Sequence, residues 1–179
     1  MARLCAAGIQ LREQIDDDYP DRDRKSDGWI ADARHLAKGS SDHIPANGIV
    51  RAIDIDSDLA AHKEEAYALV EKIRKCAKRG DKRIKYIIYD GKIMSPILGW
   101  KRRKYSGPNP HRSHFHISFT ILGDKDSSYF DLEGDKNERP KKDGRKLGKD
   151  IPSHSTSDLP SSGIGPQCDC KCRSSVSLA

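Results

Sequence analysis

Leu4, Ala7, Leu11 and Ile15 recur at spacings of three and four, which predicts a helix over 2–15 ended by Asp16-Asp17-Asp18 and Tyr19-Pro20. A second helix is expected from a Ser26 cap through Trp29, Ala33 and Leu36 to Gly39, then a turn-rich stretch over 40–48. Residues 49–55 are β-branched enough for a strand. The strongest helical pattern is 58–79, where Ala66, Leu69, Val70, Ile73 and Ala77 form one stripe. Asp56, Ser57 or Asp58 can cap its start, and Gly80 can close it. Ile84–Tyr89, Asp90-Gly91 and Lys92-Ile93-Met94 spell a hairpin, because Asp-Gly suits the positive φ angles of a type I′ turn. A basic loop over 99–110 leads to a last strand, 113–121. This order predicts a small α+β domain with a mainly antiparallel sheet and flanking helices. The segment 124–133 keeps Tyr129, Phe130 and Leu132 and is expected to close the domain. Residues 134–179 are rich in Lys, Asp, Ser, Pro and Gly, as in a mobile, disordered polar tail.

The last strand carries the most information. Phe115, Ile117, Phe119 and Ile121 alternate with His114, His116, Ser118 and Thr120. Side chains repeat every two residues along a strand, so a core-facing apolar row drives both histidines onto the other face. Asp54 and Asp56 share a face of the earlier strand in the same way, with Ile53 and Ile55 opposite. His43 stands in the turn segment Ser41–Gly48, and His111 just precedes the last strand. Two strands and a loop can therefore present His, Asp and His to a common point.

Composition narrows the classes. Of 179 residues, 34% are charged, and no apolar run approaches the roughly 18–20 residues that cross a bilayer. Charged residues follow soon after the start, at Arg3, Arg12 and Glu13, so no secretory leader is expected and synthesis in a cytoplasm is. The net charge of +6 lies wholly in 1–122, which favours anionic partners such as nucleic acid or bacterial wall. Five cysteines, three of them at Cys168, Cys170 and Cys172, make no disulfide framework and match no zinc spacing.

Two imidazoles and a carboxylate suit Zn²⁺, which they bind at roughly 2.0–2.2 Å, leaving a fourth position for water whose pKa falls to about 7. His35, His62 and His154 stand alone in the sequence and are expected to be ordinary surface residues. The same expectation applies to Lys101–Lys104 as a solvated loop, to Trp29 and Trp100 as packing residues, and to Arg51 as structural.

Ser41-Asp42-His43, Gly48–Asp56 and Pro110–Ser118, with Ser26–Ile30 and Ser95-Pro96-Ile97 as context, give the chain a family likeness over about residues 3–133. It resembles the zinc D-Ala-D-Ala carboxypeptidases and L-alanyl-D-glutamate endopeptidases of the lysostaphin, D-Ala-D-Ala carboxypeptidase and hedgehog fold group, nearest to bacteriophage endolysin peptidase domains. The resemblance implies that His43, Asp54 and His116 bind zinc and that His111 and His114 assist the reaction without binding it. It also implies a monomer acting on bacterial peptidoglycan, with no specific nucleic-acid partner, delivered as a phage lysin or virion component. The spacing departs from the family's: His43 and Asp54 are eleven apart rather than seven, which requires a loop insertion and keeps Asp56 as the weaker candidate ligand. Ser113 and His114 stand where many relatives carry an acidic base, which points to a histidine-assisted subtype. Two other readings stay open at the level of sequence: a basic metal-dependent nuclease, and a non-catalytic wall-binding module of the same fold.

Overall fold

The computed structural model describes residues 1–33, 36, 39, 41–60 and 63–134. The element order is β1 (Arg3–Leu4), α1 (Ala6–Asp18), β2 (Ile49–Val50), β3 (Ala52–Asp56), α2 (Lys63–Lys78), β4 (Ile84–Tyr89), β5 (Lys92–Met94), β6 (Arg103–Lys104), β7 (His114–Phe119) and a 3₁₀ turn, Ile121–Asp124. Strands β3 to β7 make one antiparallel sheet in the order β3-β7-β4-β5-β6, while β1 and β2 form a separate parallel pair. The class is thus α+β, with two helices and a small antiparallel sheet among the described residues. All but Gly134 of the tail expected over 134–179, the histidines His35, His62 and His154, and Cys168, Cys170 and Cys172 lie outside them.

The alternation along β7 builds the core. Phe115, Ile117 and Phe119 are at most 1% exposed and pack with Ile53 and Ile55 of β3. Leu11 and Ile15 of α1 and Leu69, Val70 and Ile73 of α2 join the same core. Each fully buried side chain of this kind stabilises the fold by roughly 1.5–3 kcal/mol. Both helices therefore contribute to the apolar side of the sheet, and the histidine row is left on the other. Phe130 is fully buried under the Arg83 guanidinium, 3.8 Å from its ring centroid. Gln14 exchanges two hydrogen bonds with its backbone, at 2.8 and 3.0 Å, so the segment after β7 closes the domain as expected.

Several boundaries move, each for a local reason. Arg3 and Leu4 pair with Ile49 and Val50 rather than opening α1, which starts after Cys5 and runs through Asp16-Asp17-Asp18. The three acids sit unfavourably at a helix C-terminus. Arg22 offsets this by folding back on Asp16 at 2.8 Å. The helix expected from Ser26 is not formed over 26–32. Ser26 N–H donates to Asp56 Oδ2 at 2.8 Å instead, and Gly28 pairs with Asp54 as a bridge on the outer side of β3. Helical backbone among the described residues of that stretch is confined to Ala33 and Leu36. The strand expected over 49–55 breaks at Arg51 into β2 and β3, and Arg51 itself is held by Asp124 through two bonds of 2.7 and 2.6 Å. The hairpin turn is as expected, with φ of 43° at Asp90 and 68° at Gly91. Within the basic loop, Arg103–Lys104 form the short edge strand β6, a charged edge of the kind that resists strand addition. Trp100 is 6% exposed and belongs to the core, and Trp29 packs against it.

Candidate metal centre

Register carries Asp54 to its partners. In the β3–β7 ladder Asp54 lies opposite His116 and Asp56 opposite His114, and directly opposed residues point to the same side of a sheet. His43 arrives from a loop whose ends are fixed on both sides. Ala31 N–H donates to the His43 carbonyl at 3.1 Å, and Arg51 N–H to the Asp42 carbonyl at 3.3 Å. The eleven-residue separation from His43 to Asp54 is absorbed by a tight turn, where Ala46 and Ile49 bridge across Asn47 (φ 54°) and Gly48 (φ 75°), and by the break at Arg51.

Three ligand atoms then converge. His116 Nδ1 is 2.9 Å from Asp54 Oδ1 and 3.1 Å from His43 Nε2, which is 3.3 Å from Asp54 Oδ2. A tetrahedral ion with ligand bonds of roughly 2.0–2.1 Å needs its ligands about 3.3–3.4 Å apart, so only a slight spreading would be required. The donor set, two imidazoles and a carboxylate, fits a divalent metal ion, and this group could hold one. The side chains of Asp54 and His114 keep 20% and 15% exposure against 5% for His43, which marks the side from which solvent reaches the cluster.

The protonation pattern follows from the surroundings. Burial penalises the Asp54 charge, but hydrogen bonds and positive charge from His116 and His43 outweigh it and hold Asp54 well below the usual carboxylate range. Burial also opposes a charge on His43, yet the Asp54 carboxylate raises its pKa, while burial lowers that of His116. Asp54 therefore favours a proton on His43, with which a metal ion must compete.

The orientation of the His116 ring is set by its other neighbours. Its Nε2 lies 2.9 Å from the hydroxyl of Ser118, which is fully buried beside Asp42. The Asp42 carboxylate can only accept; it takes both bonds from Lys85 Nζ at 2.9 Å and is flanked by the Tyr86 hydroxyl. With Nε2 held at Ser118 Oγ, the ring is oriented so that Nδ1 faces His43 and Asp54. The Tyr86 ring stacks on His116, with centroids 5.6 Å apart and planes at 23°. Such outer contacts typically tune metal affinity by about 10–100-fold. Ser118→Ala is accordingly expected to weaken metal binding by about that factor with the fold intact, which competition against a chelating dye would measure.

Of the other expected site residues, His114 places Nε2 3.9 Å from Asp54 Oδ1, and its Nδ1 lies 3.1 Å from Ser113 Oγ. His111 adopts a positive φ of 53°, with its backbone pinned by Asp90 N–H at 2.9 Å and by Asn109 Oδ1 at 3.0 Å. Its ring lies 5.0 Å from that of His114 and 5.5 Å from that of His116. Burial, and then the charges of His116 and His114, lower its pKa to about 4, so His111 is neutral at neutral pH. Asp56 is not brought to the cluster. Its oxygens accept from Ser26 N–H at 2.8 Å and Asp58 N–H at 2.9 Å, so it organises the turn after β3. Ser118, Asp42 and Tyr86 were not singled out from sequence. Ser118 could have been, since it continues the row His114-x-His116-x-Ser118.

Compared with protein-family models, curated proteins and solved structures, the chain matches none. No helix among the described residues is long and apolar enough to cross a membrane.

Proposed function

We propose that the chain is a zinc-dependent peptidase of bacterial peptidoglycan with a fold of the hedgehog and D-Ala-D-Ala peptidase group, in which His43, Asp54 and His116 hold the ion. The observation that carries this reading is the convergence of those three ligand atoms at 2.9–3.3 Å, with two further imidazoles alongside and one side of the cluster reached by solvent. A bound Zn²⁺ supplies Lewis acidity and lowers the pKa of water to about 7. The chain's own residues do the rest. Asp54 and the two buried imidazoles fix the position of the reacting centre, and Ser118 holds the His116 ring in place. His111, neutral at neutral pH, has the lone pair to accept a proton, and His114, nearer Asp54, is placed to pass one to the departing amine.

The substrate face agrees with an anionic stem peptide. Asp54, His116, Ile88, Ile93 and Arg103 are successive partners across β3, β7, β4, β5 and β6, so they form one row on the histidine side of the sheet. Arg103 spends one nitrogen on Ser95 Oγ at 2.8 Å, and its Nε is buried without a hydrogen-bond partner. The Arg103 guanidinium at the far end of this row could receive a substrate carboxylate.

The test is release of new amino groups from purified sacculi by the full chain, stripped with chelator and reloaded with Zn²⁺. Release with zinc, absent in the stripped protein and lowered at least about 10²-fold in His114→Ala, is expected. Binding to sacculi without release would replace the reading with a wall-binding module. Nicking of plasmid DNA with Mg²⁺ and no release would replace it with a nuclease.

A further inference from the structure

The polar side of β7 carries more ligands than one ion uses. Beyond His43, Asp54 and His116, a second group comprises Asp54, His111 and His114, with one ligand atom from each lying within 4.8 Å of the others. Asp54 is common to both groups and has oxygens to share: Oδ2 faces His43 at 3.3 Å, while Oδ1 faces His116 at 2.9 Å and His114 at 3.9 Å. A carboxylate held in this way is the ordinary bridge between two ions about 3.5–4 Å apart. His111 supplies an independent sign of a missing partner. Its Nδ1 is buried with no hydrogen-bond partner among the described residues, although its backbone is pinned in a conformation that holds the ring over its neighbours.

We propose that Asp54, His111 and His114 form a second divalent-metal site, bridged to the first through Asp54. It is the weaker of the two, because His114 Nε2 stands 3.9 Å from Asp54 Oδ1, against 2.9–3.3 Å among the first three ligand atoms, and because an ion already at the first site repels another. Its functional effect rests on the peptidase reading: an ion there ties up the lone pairs of His111 and His114, so that excess metal inhibits.

Zn²⁺ alone, titrated calorimetrically into the full chain with accessible thiols alkylated, tests this. Two binding events are expected, the second at least about 100-fold weaker than the first. His111→Asn keeps a residue that tolerates positive φ. In it, and separately in His114→Ala, the second event should disappear while the first shifts by less than about 3-fold. A single event in the unmutated chain, or a second event that survives in both variants, overturns the proposal. Amino-group release should rise up to one equivalent of Zn²⁺ and fall at least about 10-fold as the second event saturates. Release that stays level through the second event overturns the inhibitory role. Absence of release at every ratio refutes the peptidase reading and with it the inhibitory role, while the binding data alone decide whether the second site exists.

Discussion

Asp54→Asn should lose about 10²- to 10⁴-fold in metal affinity, the equivalent of the roughly 3–5 kcal/mol that follows from breaking a buried charge pair, and with it all measurable hydrolysis. Asp54 pairs with both His43 and His116, and Asn has the same shape, so the folded chain should keep its circular dichroism spectrum. The effect has a pH signature in the unmutated protein. Asp54 stays ionised well below neutrality, and His43 holds a proton more tightly than a free imidazole does. Metal binding must release that proton. Affinity should therefore rise with pH up to the raised pKa of His43 and level off above it, and Asp54→Asn should move the break to lower pH, because the carboxylate that raised the histidine is gone. Calorimetry in buffers of different ionisation enthalpy measures the proton count directly.

The second large effect lies away from the cluster. Arg22→Met should destabilise the fold by about 2–4 kcal/mol in denaturant unfolding, because it removes several charge-assisted hydrogen bonds made by a side chain with no exposure and takes the counter-charge from half-buried Asp27. The Arg22 side chain has no exposure, and it binds Asp16 at 2.8 Å, Asp27 at 2.9 and 2.7 Å, and the Asp23 carbonyl at 3.0 Å. Asp27 Oδ1 in turn accepts from Asp56 N–H at 2.8 Å, and Gly28 next to it pairs with Asp54. One guanidinium thus ties the end of α1 to the outer edge of the strand that carries Asp54. Arg22→Lys should recover little of the loss, since an ammonium cannot make the paired contact with Asp27 while also holding Asp16. The same variant should bind zinc less tightly, a readout that a purely peripheral residue would leave unchanged.

Much of this architecture is legible in local patterns, where local physics decides. Alternation from His114 to Phe119 places both histidines on one face, because the apolar row has only one core to enter; Ile121, expected to continue that row, is instead 71% exposed in the 3₁₀ turn. The 66–77 stripe and the Asp90-Gly91 turn locate α2 and the β4–β5 hairpin for equally local reasons. What could not be read depends on partners distant in sequence. Nothing near Asp54 and Asp56 distinguishes them; the β3–β7 register does, placing Asp54 against His116, while the turn after β3 claims Asp56. Residues 26–32 have helical spacing but are drawn out to cover the edge of β3, where Gly28 bridges Asp54. Arg22 looks like one more surface charge in an acidic run until the fold buries it between Asp16 and Asp27. Ser118 and Asp42 look like ordinary polar residues, and their place behind His116 arises only when β7 and the His43 loop meet.

The central claim is that His43, Asp54 and His116 grip one ion, and zinc K-edge X-ray absorption on the full chain loaded with one equivalent tests it most directly. The account predicts two imidazole nitrogens and oxygen scatterers at roughly 2.0–2.1 Å, with the imidazole contribution reduced in His116→Ala. Sulfur scatterers at about 2.3 Å, or an unchanged imidazole signal in that variant, would put the metal elsewhere and contradict it.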